Sequence, residues 1–150
     1  MKQARELEAL LGYQLQRSDL LVTDDARRAL AQHGLTPAKL TALLLIRANP
    51  GCDQTALGRA LSINRSSAMK LVNFLAERGL LERRPGRDLR TNALHLPADA
   101  EERIGEMLRD LRESDARMSE RLTAAERTQL FGLLRKLGVQ KRNRIREAAE

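Results

Sequence analysis

The sequence predicts a mainly helical fold with one small β-hairpin. Apolar residues recur at the three- and four-residue spacing of an amphipathic helix through most of the 150 residues. Between about residues 80 and 96 this spacing is lost, and two short extended stretches flank a segment that contains Pro85 and Gly86. Hydrophobic residues make up 42% of the chain and charged residues 31%. These values are typical of a water-soluble globular protein, and they exclude collagen, low-complexity disorder and a membrane span.

Residues 1–34 are predicted to form one long helix that contributes to a dimerisation region. Between Leu7 and Gly34 there is no proline and only one glycine, and leucines recur at helical spacing. Gly34 ends this helix. The first thirty residues show no signal peptide, so we expect a cytoplasmic protein without a membrane partner.

Three shorter helices are predicted between Gly34 and Gly79. Each begins at a residue that favours an N-cap, and these residues are Thr36, Asp53 and Asn64. Pro37 suits the first position of the first of them. The second and third helices, residues 54–61 and 65–78, are separated by a turn of three residues.

The helix predicted over residues 65–78 has two different faces. One face must point to the core, and it contains Ala68, Leu71, Val72 and Leu75. The opposite face contains Ser66, Met69, Lys70 and Asn73, and no carboxylate occurs between Arg65 and Asn73. Lys70 is a cation, Ser66 and Asn73 can bond base edges or phosphates, and Met69 can lie against a thymine methyl group. A helix presented by a short helix and a tight turn is a helix-turn-helix arrangement, whose second helix enters the major groove of DNA.

The hairpin strengthens this interpretation. Residues 80–84 and 90–96 form its predicted strands, and its basic tip extends the helix-turn-helix into a winged domain over residues 35–96. An arginine of such a wing can enter the electronegative minor groove. Asp88 and Arg90 are two residues apart, so their side chains lie on the same side of an extended segment, and we interpret Asp88 as the orienting partner of Arg90. An ordinary solvated turn is the alternative.

Residues 97–150 are predicted to form two C-terminal helices that complete the dimerisation region. Pro97 ends the hairpin, and a polar helix with one apolar stripe runs from Ala98 to near Leu122. Thr123 and Glu126 have the spacing of a capping box, which opens a last leucine-rich helix. Terminal helices whose apolar stripes have no sequence neighbours to cover them favour a homodimer.

The distribution of charge indicates an anionic partner. The net charge is +7, and residues 62–95 carry seven Lys and Arg but only three Asp and Glu. Residues 135–150 carry six and two. Clustered positive charge favours nucleic acid, although a solvated basic surface is the simpler alternative. The residues assigned to phosphate contacts are Lys70, Arg83, Arg84 and Arg87.

The order and spacing of these motifs resemble the multiple-antibiotic-resistance regulator (MarR) family. The similar segments are residues 34–37, 53–57, 61–67, 75–84 and 88–90, and the similarity extends through the helix after Thr123. The resemblance implies a triangular winged helix-turn-helix homodimer that binds a palindromic DNA operator and usually represses transcription. The predicted DNA-binding residues are then Asn64, Arg65, Ser66, Ser67, Met69, Lys70, Asn73, Arg83, Arg84, Arg87, Asp88 and Arg90.

The resemblance also implies a small-molecule effector, often an aromatic acid or phenolic compound, held between the dimer helices and the winged domain. Binding of the effector would release the DNA. The candidate effector-binding residues are Tyr13, Arg17, His33 and Arg47. Their simpler interpretations are an interface aromatic, two surface or ion-paired arginines and a helix-end histidine.

Three other functions are considered. A redox sensor would act through Cys52, but a small buried hydrophobe is the usual role of such a cysteine. An enzyme is disfavoured because the two histidines lack catalytic or metal-binding spacing, and no cofactor or metal is expected. A winged helix used only for protein contacts would not discriminate an operator from random DNA.

Overall fold

A computed structural model describes residues 5–85 and 92–147, with side chains as far as residue 138. The elements in chain order are helices α1 (Arg5–Glu8), α2 (Leu11–Ala31), α3 (Pro37–Ala48), α4 (Gln54–Ala60) and α5 (Arg65–Glu77), strands β1 (Glu82–Pro85) and β2 (Asn92–His95), and helices α6 (Ala98–Met118) and α7 (Ala124–Glu147). The predicted class, mainly helical with one hairpin, is confirmed. The contacts divide the chain into two compact units, Met1–Ser114 and Asp115–Glu150.

The core of the first unit lies where the end of α2 meets α3, α4, α5, the hairpin and the first half of α6. Its largest buried side chains are each 2% exposed or less, and they are Leu30, Leu40, Leu43, Ile46, Leu57, Val72, Leu75, Leu80, Leu94, Ile104 and Met107. Burial of one such side chain contributes about 1.5–3 kcal/mol. The helix-turn-helix therefore shares one apolar interior with parts of both flanking segments.

The hairpin is anchored to the segment that precedes α4. Strands β1 and β2 are antiparallel, with Glu82 opposite His95 and Pro85 opposite Asn92. A further antiparallel bridge joins Cys52 to Leu94, and the backbone N–H of Leu94 donates to the carbonyl of Cys52 at 2.9 Å. The base of the hairpin thus lies beside α4. The predicted tip residues Arg87, Asp88 and Arg90 lie outside the described residues.

The predicted long N-terminal helix is interrupted, which corrects the sequence-based expectation. Leu10 has an extended backbone (φ −90°, ψ 118°) and separates α1 from α2. Nε2 of Gln14 donates to the backbone carbonyl of Glu8 at 2.7 Å. A side-chain amide therefore satisfies a carbonyl at the end of α1, a helix end that no glycine or proline marks in the sequence.

The predicted N-caps of the central helices are confirmed at two of three positions. Oδ1 of Asp53 accepts from the backbone N–H of Ala56 at 2.7 Å, which caps α4. Asn64 caps α5 through Ser67. Thr36 has the extended backbone of an N-cap, but its side chain makes no capping hydrogen bond.

Within the second unit, the predicted capping box is confirmed. The backbone N–H of Thr123 donates to the carboxylate of Glu126 at 2.8 Å, and the backbone N–H of Glu126 donates to Oγ1 of Thr123 at 3.3 Å. An N-cap requires a non-helical backbone. Helix α6 ends at Met118, about one turn before the predicted end near Leu122.

Large apolar side chains are exposed on both α2 and α7. On α2, Leu20 is 64% exposed and Leu21 is 62% exposed. On α7, Phe131 is 45% and Leu133 is 50% exposed. No helix among the described residues combines the length and the apolar character that a membrane span requires.

Candidate nucleic-acid interface

The structure turns the polar face of α5 outward. Ser66, Met69, Lys70 and Asn73 are exposed, whereas the opposite face is buried in the core. Ala68, Val72 and Leu75 are each exposed by 1% or less, and Leu71 is half-buried. The two faces predicted from helical spacing are therefore confirmed. The only acidic residue of α5, Glu77, lies in its last turn.

The first turn of α5 is fixed by its cap. Asn64, Arg65, Ser66 and Ser67 are all exposed, and Oδ1 of Asn64 accepts from the backbone N–H of Ser67 at 2.8 Å. This hydrogen bond satisfies one of the N–H groups that a helix leaves unpaired at its start. Asn64, predicted as a DNA contact, thus holds the end of the helix that presents the other residues.

Helix α4 packs closely on α5. A Cβ atom at Gly58 would lie 3.3 Å from Cβ of Ala68 and 3.4 Å from the carbonyl oxygen of Ile63. The turn between the helices contains Ser62 in the left-handed region (φ 55°), a conformation uncommon for residues other than glycine. Two small residues and a tight turn therefore bring the helices together.

The C-terminal half of α5 is tied to α3 through an aromatic ring. Nζ of Lys39 lies 3.5 Å from the centroid of the Phe74 ring, and Cζ of Arg78 lies 4.3 Å from it. The backbone carbonyl of Arg78 accepts from Nη1 of Arg103 at 3.1 Å, which adds a link to α6. Each cation–π contact at such a surface contributes about 0.5–1 kcal/mol. The contacts of Lys39 with Phe74 and of Arg103 with Arg78 were not predicted, because they join residues far apart in sequence.

The two arginines of β1 have different surroundings. Nη2 of Arg83 donates a hydrogen bond to Oδ1 of Asn73 on α5. Arg84 forms an ion pair with Glu82 instead. Alternate residues of a strand point to opposite faces, so Glu82 and Arg84 share one face and Arg83 lies on the other. Of the two arginines, only Arg83 joins the polar face of α5.

A cleft of about 260 Å³ lies between α4, the start of α5 and the hairpin, and it adds residues that the sequence did not single out. Its lining residues are Asp53, Gln54, Thr55, Arg65, Arg83, Asn92 and Leu94. Gln54 and Thr55 follow the cap of α4, which is a weak signal in the sequence. Asn92 enters the cleft only because β2 pairs with β1 in this register. The carboxylate of Asp53 in this lining accepts from the first turn of α4. The two arginines and three uncharged polar residues leave a net positive lining, which suits an anionic group such as a backbone phosphate.

Two of the four predicted effector-binding residues are neighbours on α2. Cζ of Arg17 lies 5.8 Å from the centroid of the Tyr13 ring. At a rise of 1.5 Å per residue, Tyr13 is about 27 Å along α2 from Ala31, and His33 lies beyond that end. Within one chain, Tyr13 and His33 are therefore too far apart to contact the same aromatic ring.

The other two predicted effector-binding residues pair with carboxylates of α6. Nε2 of His33 lies 2.5 Å from Oδ2 of Asp110, and Nη1 of Arg47 lies 3.8 Å from Oε2 of Glu101. Hydrogen bonds from His33, and then from Gln32, hold the pKa of the Asp110 carboxyl below its ordinary value. Arg47 thus has the ion-paired role that was its simpler interpretation. His33 follows the end of α2, as its simpler interpretation expected, and its ring contacts Asp110.

The surroundings of Cys52 disfavour redox chemistry. Burial, and then the nearby charge of Asp53, raise the pKa of the Cys52 thiol. A raised pKa lowers the thiolate fraction, and the thiolate is the form that reacts with oxidants. Elsewhere in residues 5–85 and 92–138, no group of His, Cys, Asp and Glu is arranged to hold a metal ion.

Sequence comparison finds relatives among transcriptional regulators. A model of the MarR family matches residues 33–90. A protein of Thauera aromatica, named as the transcriptional regulatory protein for the hcr operon, is 35% identical over 129 residues, which are 85% of this chain and 78% of that protein.

Solved structures of related regulators cover nearly the whole chain. The transcriptional repressor CouR bound to a 23-mer DNA duplex is 31% identical, with a TM-score of 0.86 over 92% of this chain and 99% of that one. CouR bound to p-coumaroyl-CoA is 30% identical with a TM-score of 0.80, over 92% and 98%. The Mycobacterium tuberculosis protein Rv2887 in complex with DNA is 26% identical with a TM-score of 0.74, over 87% and 98%.

The outward polar helix, the adjoining hairpin and these relatives lead to one conclusion. The described mainly helical fold with a two-stranded sheet is that of winged helix regulators. The chain belongs to the MarR family of transcriptional regulators, whose members are DNA-binding proteins and not enzymes.

Proposed function

We propose that this protein is a homodimeric repressor that binds a palindromic operator and is released from it by a small effector. The observation that carries the proposal is the outward face of α5, where Lys70 and Asn73 are exposed opposite a buried apolar face. Arg83 adjoins this face from the hairpin. In this proposal residues 35–96 bind DNA in the cytoplasm, and residues 1–34 and 97–150 form the dimer.

The exposed leucines support a homodimer. Leu20 and Leu21 of α2 are both more than 60% exposed. Within the other unit, Leu133 of α7 is 50% exposed. A second copy of the chain would bury such side chains, and a two-fold axis would place two copies of α5 at successive major grooves, about 34 Å apart. We expect Leu20→Lys with Leu21→Lys to give a monomer in analytical ultracentrifugation and to abolish tight operator binding.

Two relatives support an aromatic effector. CouR has been solved with p-coumaroyl-CoA, and Rv2887 with salicylic acid. For this chain we propose an aromatic acid or its thioester, held in part by Tyr13 and Arg17. Their contact of 5.8 Å places a ring beside a cation, which suits an aromatic anion. His33 and Arg47 contact carboxylates of α6, so in this proposal they bind the ligand only after leaving Asp110 and Glu101.

The operator is tested by selecting bound fragments from the genome that encodes the protein. We expect one enriched inverted repeat with half-sites one turn of DNA apart. Enrichment of unrelated sequences, with equal affinity for operator and random duplexes, would support a protein-interaction module instead.

The effector is tested on the selected operator with p-coumaroyl-CoA and salicylate as probes. We expect one of them to release labelled operator from the wild type and to do so much less from Arg17→Ala. The matched control is Arg28→Ala, which removes a cation from the same helix at its ion pair with Asp24. Equal release from all three proteins would remove Arg17 from the proposed site.

The wing is tested through Arg90, which lies outside the described residues. We expect Arg90→Ala to weaken operator binding by about 1–3 kcal/mol with folding intact. Fluorescence titration of labelled operator measures the change. An unchanged affinity would remove the wing from the proposal.

A further inference from the structure

The hydrogen bond between Arg83 and Asn73 joins strand β1 of the hairpin to helix α5 at the surface proposed to meet DNA. A guanidinium has only donors, so the atom of the Asn73 side chain that faces Arg83 must be the amide oxygen. Both side chains are exposed, and α5 presents Asn73 on the same face as Lys70. The orientation of the amide is therefore decided by its partner on β1.

This orientation changes what Asn73 offers to a base. An unconstrained asparagine pairs with adenine through two hydrogen bonds, because its oxygen accepts from N6 and its NH₂ group donates to N7. In this chain the oxygen already accepts from a cation, and charge-assisted hydrogen bonds are about twice as strong as neutral ones. An adenine N6 donor would have to share that oxygen with the guanidinium. The NH₂ group is the part of the Asn73 side chain that remains available to bond a base edge in the major groove.

We infer that Arg83 is a positioning residue that makes Asn73 a donor in base recognition, so that the operator carries guanine, and not adenine, at the base pair facing Asn73. Guanine fits because N7 and O6 are both acceptors on its major-groove edge. This inference rests on the proposed function, since it concerns how the same surface reads DNA.

Arg84 provides a matched control for Arg83. Both are arginines of β1, and removal of either takes one positive charge from the hairpin. Arg84 pairs with Glu82 on the other face of the strand and has no hydrogen bond to α5 in the described part of the chain. A purely electrostatic role predicts the same base preferences for both variants, whereas a positioning role predicts a change for Arg83 alone.

The test is selection from a duplex library randomised across both half-sites, with wild type, Asn73→Ala, Arg83→Ala, Arg84→Ala and the Asn73→Ala, Arg83→Ala double variant. Asn73→Ala identifies the base pair that Asn73 contacts, because this variant loses the base preference at that position of the operator. We expect wild type to select guanine at that pair and Arg83→Ala to shift the ratio of adenine to guanine by about five- to hundredfold. Arg84→Ala keeps the wild-type preference, and the double variant shows no preference.

Two results would overturn the inference: adenine selected by wild type at that pair, or identical base preferences in Arg83→Ala and Arg84→Ala. Failure of the proposed function is distinguishable, since wild type would then enrich no sequence at all. Circular dichroism of each variant checks that the fold is retained.

Discussion

Single side chains in this protein serve either to present the DNA-facing surface or to form it. Asn64 presents it, because its side-chain oxygen is used by the backbone N–H of Ser67. Lys70 and Asn73 form it, since both are exposed on the outer face of α5. The distinction decides whether a substitution changes stability, DNA affinity or both.

Removal of the α5 cap should lower stability. We expect Asn64→Ala to reduce the free energy of unfolding by about 1 kcal/mol, because an N–H group in the first turn loses its partner. The control is Ser66→Ala on the same turn, for which a change within about 0.5 kcal/mol is expected. Urea unfolding followed by circular dichroism measures both. Equal losses in the two variants would show that the cap contributes nothing.

The carboxylate that pairs with His33 should make stability depend on pH. The pKa of Asp110 is held below its ordinary value by hydrogen bonds from His33 and Gln32. A carboxyl whose pKa is lowered by folding stabilises the native state above its unfolded pKa of about 3.9, and this contribution is lost as the pH falls through the folded value.

We therefore expect Asp110→Asn to lower the free energy of unfolding near neutral pH, with the difference from wild type shrinking below about pH 4. Urea titrations across this range measure it. Glu106→Gln is the control on the same helix, at an exposed ion pair of 3.8 Å with Arg109, and should show a smaller effect throughout. A difference that stays constant with pH would contradict the role given to the hydrogen bonds.

At the scale of elements, α4 and α5 act as one unit because they pack closely at Gly58. The 3.3 Å approach to Ala68 leaves no room for a larger side chain unless the helices separate. Separation would move the outer face of α5 relative to the hairpin, and with it the contact between Asn73 and Arg83.

We expect Gly58→Val to lower the free energy of unfolding by about 1–3 kcal/mol through overpacking. At temperatures where the variant is fully folded, we also expect it to bind the operator more weakly than wild type. Gly105→Ala on α6 is the control. Its added Cβ would lie 4.0 Å from Nη1 of Arg109, an ordinary contact, and a gain of about 0.5–1 kcal/mol is expected. Calorimetry and operator titration together measure the two effects. If Gly58→Val bound the operator with the affinity of wild type, the close packing of α4 on α5 would not be needed for DNA binding.

For the whole molecule, the excess of positive charge should control DNA affinity through salt. If a dimer neutralises about eight phosphates, the logarithm of the association constant falls with the logarithm of salt concentration with a slope of about −7. Lys70→Ala removes two contacts per dimer, so its slope should be shallower by about 2.

Titrations of labelled operator at several salt concentrations measure these slopes. Arg109→Ala, which removes a cation of α6 with a side chain 66% exposed, should leave the slope unchanged. A common slope for both variants would mean that Lys70 contacts no phosphate.

Local features of this fold were predictable from the order of residues alone. Helical spacing separates the two faces of α5, and Asp53, Asn64 and the Thr123–Glu126 pair cap their helices as predicted. Each of these features depends on residues three or four positions apart, so a short segment of sequence is enough to predict it. The break at Leu10 was missed because the hydrogen bond from the Gln14 side chain to the carbonyl of Glu8 follows no recognised pattern of residue types.

Contacts between side chains of different elements depend on how those elements pack in three dimensions. His33 pairs with Asp110, and Arg83, not Arg84, bonds to Asn73. The first contact depends on how α2 and α6 pack on one core, and the second on which face of β1 adjoins α5. Both arise from packing and strand register, which are properties of elements distant in the chain, and this is why charge and spacing alone assigned equal roles to the two arginines.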